Sequence, residues 1–273
     1  MLEPRVVILA AMRAEADLLE GDVEQADEQH VMGKRFVLGT LAGTPIALTW
    51  TGMGKVNAAM VATLAIVHFR PTVVICTGIA GATNHELVPG DVVIAEKVAQ
   101  YDFGAVTTDG FEIWSTWNPL TFEPNPVNFA ADAQLLQQAA ALTPHVPLAQ
   151  ASDARAARPP RIMQGVIVTG DLYAPLMPNR QRLREQFGAD ACDMESAAIA
   201  QVCWVQQIPC LVIRGISDTE EEATPQIKAY LALAVQNTAR VVGALAPHLD
   251  WYGTQDERRG AGGAGGTGEE LGA

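Results

Sequence analysis

Apolar and polar positions follow two alternating patterns along most of the chain. Short, bounded runs of β-branched and other apolar residues predict buried strands at residues 5–10, 36–41, 45–51, 72–77, 91–95, 165–169 and 210–216. Longer stretches with helical spacing predict helices at residues 13–20, 57–68, 131–142, 179–187, 195–206 and 227–245. Because strands that are apolar on both faces must be covered on both faces, we predict an α/β fold with a mixed but largely parallel sheet sandwiched by helices.

Three segments depart from this alternation. The strands predicted at residues 36–41 and 45–51 are separated only by residues 42–44, which favours an antiparallel hairpin. Residues 107–128 bring prolines and tryptophans close together, and residues 143–160 are rich in Ala, Pro and Arg. We predict loops or lids in both of these segments.

Length and charge narrow the class of protein. An α/β domain commonly runs to about 200–250 residues, so the 273-residue chain predicts one domain at residues 1–250. Residues 251–273 are rich in Gly and have almost nothing to bury, so we expect a disordered tail there. A formal net charge of -13 repels the phosphate backbone of nucleic acids and favours a small-molecule substrate.

The cysteines and histidines give no sign of a disulfide or a metal site. The four cysteines lie in apolar stretches without CxxC spacing, which predicts free thiols in a reducing compartment, and the five histidines are scattered singly. No run reaches the roughly 18 apolar residues that span a bilayer, and the first apolar run lacks the features of a signal peptide. We therefore expect a cytoplasmic protein with no cofactor, no metal, and no nucleic-acid or membrane partner.

Several polar or glycine positions follow the ends of predicted strands, where open α/β sheets bind ligands. Glu15 lies one helical turn after the first strand and is either a site residue or an acid that complements the helix dipole. Gly78 and Gly81 allow close approach of backbone N–H groups to a ligand, although a tight turn also uses two glycines. The glycine-rich turn before Lys55 lacks the GxxxxGK[ST] spacing, so we reject a phosphate-binding loop there.

Aromatic, acidic and basic residues that could bind or cleave a substrate follow three more predicted strand ends. Tyr173 follows one of them, where an aromatic ring either stacks on a planar base or packs in the core. Asp193 and Glu195 precede an apolar helix; a capping role explains Asp193 well but Glu195 less readily. Arg214 and Asp218 close a very apolar strand, and either they pair with each other or Asp218 is a partly desolvated general acid.

Seven motifs, taken in order, resemble those of the methylthioadenosine/S-adenosylhomocysteine nucleosidases in the purine nucleoside phosphorylase/nucleosidase superfamily. They lie within residues 6–249 and read AAMRAE, TGMGKVNAA, TGIAGA, VPGDVVIAE, VTGD, DMESAAIA and VIRGISD. The resemblance implies a three-layer α/β/α sandwich around a twisted mixed sheet. It also implies hydrolysis of the N-glycosidic bond of 5'-methylthioadenosine or S-adenosylhomocysteine, with release of adenine.

The same resemblance implies roles for the acids. Asp218 is expected to protonate the purine at N7, which makes adenine a neutral leaving group, and Glu15 to activate the attacking water. Glu195 is expected to bind the ribose hydroxyls and, with Arg214, to hold that water. Two carboxyl groups in different protonation states, on opposite sides of an oxocarbenium-like sugar, also serve the inverting glycosidases.

Binding roles are implied for residues beside these acids. Tyr173 is expected to stack on adenine, the backbone of Ala174 to contact the base edge, and Met194 to pack under the sugar. Ser217 is expected to help position Asp218.

The glycine-containing segment after the fourth predicted strand departs from the family pattern. Gly78, Ile79 and Ala80 are expected to contact the substrate, but Ile79 stands where the family has serine and leaves only backbone donors on the nucleophile side. Residues 107–160, which shape the 5' pocket, form a longer segment than in compact family members. The 5' substituent of the substrate is therefore left open.

The resemblance also implies a homodimer in which the neighbouring subunit closes the 5' pocket. Trp114, Trp117 and Phe122 are candidate closing or interface residues, and the alternative is that they pack in a local core. A purely partner-binding protein is disfavoured because no exposed amphipathic stripe stands out.

Three alternative activities stay open. A hydrolase of futalosine or another adenosyl compound shares the AAMRAE and VTGD motifs loosely. A phosphorylase needs arginines around phosphate, whereas the chain has no GDPxR-like motif and Arg13 is the only arginine in the first loop. A non-catalytic nucleoside-binding module is expected to lose its acids, yet Glu15, Glu195 and Asp218 are all present.

Overall fold

The computed structural model describes residues 3–108, 110–151, 158–172, 177–218 and 227–249. The tail predicted at residues 251–273 lies outside the described residues. The strands are β1 (Val6–Ala10), β2 (Val23–Val31), β3 (Lys34–Leu41), β4 (Thr44–Trp50), β5 (Val73–Ala82), β6 (Val92–Gln100), β7 (Gly104–Thr107), β8 (Gly110–Ile113), β9 (Asn128–Ala130), β10 (Ile162–Thr169), β11 (Ala191–Asp193) and β12 (Cys210–Asp218). The helices are α1 (Arg13–Glu20), α2 (Lys55–Phe69), α3 (Ala133–Leu142), α4 (Met177–Phe187), α5 (Ser196–Gln206) and α6 (Ile227–Leu245).

Ten of these strands form one mixed sheet. Its order is β11-β10-β6-β12-β5-β1-β4-β3-β2, with β9 added beside β6. In the centre, β1 runs parallel to β4 and β5, and β5 runs parallel to β12. β6 and β12 are antiparallel, and β11 pairs with both β10 and β5, so the sheet curls back on itself. The predicted mixed sheet is confirmed, and its parallel centre brings the carboxyl ends of β1, β5 and β12 to one edge.

Helices cover both faces of the sheet. On one face, α2 and α5 pack through small side chains such as Ala62 and Ala198. On the other face, α1, α3 and α6 contribute apolar side chains, among them Leu19, Leu135 and Val242. Because β1 lies between the two layers, all of its residues are buried, which explains its unbroken apolar sequence. The predicted three-layer α/β/α sandwich is confirmed.

The predicted hairpin is also confirmed, with one addition at its edge. β3 and β4 are antiparallel, and Ala42 and Gly43 between them have φ values of 49° and 85°, as a tight hairpin turn requires. The sequence pattern does not predict β2, whose residues VEQADEQHV have no apolar face. It forms because its backbone pairs with β3, and charged side chains suit an edge strand because they oppose pairing with other chains.

The loop prediction for residues 107–128 is wrong in part. β7 and β8 form a two-stranded hairpin, and an isolated bridge pairs Trp117 with Pro124. These short pairs cover no core, so no apolar periodicity marks them in the sequence. Trp117 is 65 % exposed and Phe122 80 % exposed, and Trp114 is also exposed, so the local-core alternative for these side chains is wrong.

Helix α2 presents an apolar stripe to solvent that the sequence pattern does not reveal. Val56, Met60 and Val67 share one helical face and are exposed, Val56 by 79 %. The helix is apolar on nearly every side, so its periodicity does not separate this stripe from the buried face. Within the described ranges, no helix is both long and apolar enough to cross a membrane.

Candidate active site

The candidate site lies where the parallel centre of the sheet ends. Ala10 at the end of β1 is in register with Thr77 of β5, and Thr77 is in register with Ile213 of β12. The residues that follow each of these positions therefore emerge together at one edge of the sheet. This register brings helix α1, the second half of β5 and the end of β12 into one polar cluster.

Glu15 connects helix α1 to strand β5. Its side chain is buried; Oε2 accepts a hydrogen bond from the Met12 N–H (2.7 Å), and Oε1 accepts one from the Ile79 N–H (3.1 Å). Burial raises the pKa of Glu15, and the positive charge of Arg214 opposes that rise. Glu15 thus both caps the first turn of α1 and reaches the end of β5, and it occupies the backbone donor of Ile79.

Gly78 leaves the space in which two charged side chains meet. Its φ is +147°, a value that side-chain-bearing residues rarely adopt. A Cβ at this position would lie 2.3 Å from Arg214 Nη1 and 2.9 Å from Glu15 Oε2. The glycine is therefore required by the close approach of Arg214 and Glu15, beyond the demands of a turn.

Arg214 is wholly buried and is surrounded by acceptors. Its Nε lies 2.8 Å from Asp193 Oδ2 and donates to Ser196 Oγ at 3.0 Å, while Nη2 lies 3.3 Å from Glu195 Oε2. A buried guanidinium needs such partners to offset its loss of hydration. The interpretation in which Arg214 pairs with Asp218 is wrong, because Arg214 instead pairs with Asp193, the last residue of β11, and with Glu195, which directly precedes α5.

Asp193 and Glu195 are only two residues apart, but their side chains have different hydrogen-bond partners. Asp193 Oδ1 accepts hydrogen bonds from the N–H groups of Glu195 (3.3 Å) and Ser196 (3.2 Å), although the N-cap residue of α5 is Glu195 rather than Asp193. Glu195 Oε1 instead accepts a hydrogen bond from the Gly54 N–H (3.0 Å). Burial raises the pKa of Glu195 to about 7, although Arg214 opposes the rise. Near neutral pH, Glu195 therefore exists in both protonation states.

Asp218, at the end of β12, has a partner that sequence reasoning missed. Its side chain is 18 % exposed, forms an ion pair with Arg180 of α4, and has Ser217 Oγ 3.1 Å from its Oδ2. Arg180 is 2 % exposed. Helix α4 has three arginines at alternate positions in a charged sequence, RQRLRE, and nothing in that pattern marks one of them as buried.

A second polar group beside the acids was also missed. Asp171 Oδ1 accepts a hydrogen bond from the Lys55 N–H (2.8 Å), and the Asp171 N–H donates to Asp102 Oδ2 (2.8 Å). Lys55 Nζ lies 2.5 Å from Asp102 Oδ1. We call Lys55, Asp102 and Asp171 the loop junction, because they join the segments that follow β4, β6 and β10. The only sequence signal for it was the presence of charged residues just after strands.

The other predicted site residues form no side-chain hydrogen bond with the acids in the described part of the chain, or lie outside it. Ala80 is buried in β5, and Met194 is half-buried between β11 and α5. Tyr173 and Ala174 lie outside the described residues. In the described part of the chain, no three His, Cys, Asp or Glu side chains are grouped so as to hold a metal ion, and all four cysteines are free.

The spacing of the acids suits chemistry on a sugar. Glu15 contacts β5 at Gly78 and Ile79, whereas Asp218 is in register with Gly81. Two to three strand residues correspond to about 7–10 Å. Inverting glycosidases place their two carboxyl groups about 6.5–9.5 Å apart to admit a water molecule. Glu15 is buried and Asp218 is partly exposed, and the positions of β5 beside them are separated by a comparable distance along the strand.

The fold is that of nucleoside-cleaving enzymes, and residues 5–247 match the Phosphorylase superfamily, to which the chain belongs. The chain is 33 % identical over 248 residues to the 5'-methylthioadenosine/S-adenosylhomocysteine nucleosidase of Mycobacterium bovis, which covers 89 % of this chain and 97 % of that one. The predicted family is confirmed. The chain is an enzyme of the N-glycosyl hydrolase class.

Solved structures agree with the fold. The 5'-methylthioadenosine/S-adenosylhomocysteine nucleosidase of Colwellia psychrerythraea, in complex with adenine, superposes with a TM-score of 0.76 at 28 % identity, covering 91 % of this chain and 96 % of that one. The futalosine hydrolase of Helicobacter pylori gives a TM-score of 0.75 at 25 % identity, covering 90 % and 98 %. Both the fold and the hydrolase class are thus shared with enzymes of more than one named substrate.

Proposed function

We propose that this enzyme hydrolyses the N-glycosidic bond of 5'-methylthioadenosine and S-adenosylhomocysteine and releases adenine. The observation that carries the proposal is the placement of Glu15 and Asp218 at opposite ends of the β5 segment that begins with Gly78. The nucleosidase of Mycobacterium bovis, with 33 % identity, supports the substrate, and the adenine in the Colwellia structure supports the base.

In the proposed reaction, Asp218 donates a proton to N7 of adenine, the bond between C1' and N9 breaks, and its electron pair leaves with the neutral base. Glu15 accepts a proton from the water whose oxygen bonds to C1'. Glu195 binds the ribose hydroxyls and, with Arg214, holds that water. Each positioned acid or base typically contributes about 10²–10⁴-fold to the rate.

The base and the sugar are proposed to be held by residues next to these acids. Tyr173 stacks on adenine, the backbone of Ala174 contacts its edge, and Met194 packs under the sugar. The loop junction supports this arrangement, because Asp171 lies two residues before Tyr173 and is tied to Lys55 and to Asp102. A fixed loop reduces the entropy lost when the base binds.

Water rather than phosphate is the proposed nucleophile. Phosphate needs uncompensated positive charge, usually from arginine. Two arginines of the site are buried; Arg214 already pairs with Asp193 and Glu195, and Arg180 already pairs with Asp218. Arg13 is an exposed side chain that pairs with Asp17. These three arginines are already paired with carboxylates, whereas a phosphorylase requires positive charge for phosphate.

A second candidate substrate is futalosine. The Helicobacter pylori futalosine hydrolase has a TM-score of 0.75, almost the same as the Colwellia nucleosidase. Both reactions use the same proton donor and water, so the acids do not discriminate between them. Assays with each compound therefore distinguish the two candidate substrates.

We also propose that the enzyme is a homodimer. The exposed stripe on α2 and the exposed aromatic side chains of residues 114–122 form the kind of apolar surface that soluble proteins cover with a partner. The partner that fits is a second copy of this chain, whose residues would close the 5' pocket. Light scattering should give twice the chain mass of 29.0 kDa, and Val56→Glu should reduce it to one chain.

The products of this reaction fit a place in methionine salvage, since a thioribose fragment is released with adenine. The four free cysteines fit a reducing compartment, and we place the enzyme in the cytoplasm.

The test is adenine release from methylthioadenosine, followed by chromatography in phosphate-free buffer and again with phosphate. We expect equal release in both buffers, with free methylthioribose as the second product, and loss of release in Asp218→Asn. Release that depends on phosphate would make the enzyme a phosphorylase. No release from methylthioadenosine or S-adenosylhomocysteine, with cleavage of futalosine, would move the substrate and keep the mechanism.

A further inference from the structure

Arg180, the partner of Asp218, is held in place by several contacts and has no role in the proposed reaction so far. Arg180 pairs with Asp218 Oδ1, and its Nη1 donates to the Ala82 carbonyl oxygen at 3.1 Å. The Asp218 carbonyl oxygen lies 3.5 Å from the same nitrogen. At 2 % exposure, the guanidinium is held by the backbone of β5 and β12 and is unlike a surface ion pair.

The sequence of β5 makes room for this pair. A Cβ at Gly81 would lie 2.8 Å from Arg180 Nη2 and 3.3 Å from Asp218 Oδ1. Because real Cβ contacts of 2.8 Å are essentially not seen, any other residue at Gly81 would push the guanidinium away from its position. The glycine that the sequence marks as a ligand or turn position therefore accommodates Arg180.

The two oxygens of Asp218 have different partners. Oδ1 faces Arg180, whereas Oδ2 lies 3.1 Å from Ser217 Oγ. Ser217 Oγ also lies 3.3 Å from the Ala80 carbonyl oxygen, and its single proton serves one acceptor at a time. A proton on Asp218 would therefore lie on Oδ2, because Oδ1 accepts from Arg180, and Ser217 Oγ would then donate to the Ala80 carbonyl oxygen.

From this asymmetry, and resting on the proposed function, we infer that Arg180 is a positioning residue that orients Asp218 and receives the negative charge left by proton transfer. The bond between Oδ2 and its proton breaks, the bond between N7 and that proton forms, and the new carboxylate finds Arg180 already in place. A preorganised partner of this kind stabilises charge as it develops without reorganisation.

The inference is tested with Arg180→Met, which removes the charge but keeps a long side chain, and with Arg180→Lys. Arg184→Met is the matched control, because Arg184 lies one turn further along α4 and pairs with Asp190 instead. Adenine release from methylthioadenosine is compared with cleavage of 4-nitrophenyl riboside, whose leaving group needs no proton. Melting temperatures are recorded for all variants.

For Arg180→Met we expect kcat on methylthioadenosine to fall about 10²-fold with little change in KM. Cleavage of the nitrophenyl riboside should change far less, and Arg180→Lys should recover part of the loss because it keeps the charge without the guanidinium fork. Arg184→Met should behave as the parent enzyme does.

Equal losses on both substrates would show a general structural role and overturn the inference, as would an Arg180→Met variant with unchanged kcat. A parent enzyme that cleaves no purine nucleoside would instead overturn the proposed function, and this inference with it. The activity of the parent enzyme thus separates the two failures.

Discussion

At one end of the candidate site several carboxyl groups surround a single buried arginine, whereas at the other end one carboxyl group pairs with a different arginine. Glu15, Asp193 and Glu195 all act on Arg214, so three acids compete for one positive charge. Asp218 pairs with Arg180 and is partly exposed. The residue type is nearly the same at both ends, but the ratio of negative to positive charge is not.

The different ratio of acids to arginines at the two ends suits the acids to different proton transfers. At the Arg214 end, burial raises the pKa of Glu15, and it raises the pKa of Glu195 to about 7, while the positive charge of Arg214 opposes both rises. At the Asp218 end, we propose that Arg180 stabilises the carboxylate that remains after proton donation. One end is thus suited to receive a proton from water and the other to give a proton to the base.

The largest expected effect comes from neutralising one acid at each end. Glu15→Gln and Asp218→Asn should each lower kcat for adenine release by about 10²–10⁴-fold, since each removes a proton-transfer group. The ends should differ with 4-nitrophenyl riboside, where Asp218→Asn keeps much of its activity and Glu15→Gln does not. Asp17→Asn, on the exposed side of the same helix α1, is the control and should be active. Equal behaviour of both variants on both substrates would contradict the assignment of opposite tasks.

A smaller effect is expected from closing the space between Glu15 and Arg214. Gly78→Ala adds a Cβ at 2.3 Å from Arg214 Nη1 and places alanine at a φ of +147°, so we expect the free energy of unfolding to fall by about 2–4 kcal/mol. Gly110→Ala is the control, since its φ is +124° but no atom lies within 4 Å of the added Cβ. Denaturant unfolding measures both. If the two variants lose equal stability, backbone strain alone explains Gly78.

The protonation of Glu195 should appear in the pH dependence of stability. Its folded-state pKa is about 7 against an ordinary value of 4.5, so between these pH values the folded state holds a proton that the unfolded state has released. Stability contributed by this group therefore falls as pH rises from about 4.5 to about 7. Relative to the parent enzyme, Glu195→Gln should gain on the order of 1–3 kcal/mol in its free energy of unfolding between pH 5 and pH 8.

That gain is measured by denaturant unfolding at the two pH values. Glu96→Gln, an exposed position on β6, serves as control and should follow the parent enzyme. A Glu195→Gln variant whose stability runs parallel to that of the parent enzyme would show that Glu195 stays ionised, and the contrast between the two ends would then be weaker.

The smallest expected effect concerns the loop junction, which lies outside both ends. Asp171→Ala removes the acceptor for the Lys55 N–H, and we expect a loss on the order of 1 kcal/mol in substrate binding, or about fivefold in KM, with kcat little changed. Asp132→Ala is the control, because the Asp132 side chain also accepts hydrogen bonds from backbone N–H groups at the start of a helix, α3. An unchanged KM in Asp171→Ala would mean that the junction does not support binding.

The sequence alone determined the layer architecture and the place of most site residues. Apolar runs such as β1 must be buried on both faces, which fixes the sandwich, and polar residues directly after strands must then lie at its edge. For that reason Glu15, Glu195, Arg214 and Asp218 could be named from their positions, although their roles remain proposals. The sequence could also name Gly78 as a position of close approach, but not the two charged groups that approach there.

Only the tertiary structure decided which charges meet. Arg214 pairs with Asp193 and Glu195, and Asp218 pairs with Arg180. These choices depend on side-chain directions and on register across strands far apart in the chain, and local pattern carries no information about either. For the same reason, the sequence predicts neither β2 nor the exposed stripe of α2. An edge strand forms by pairing with its neighbour, and the sequence of a helix that is apolar on nearly every side does not indicate which face is buried.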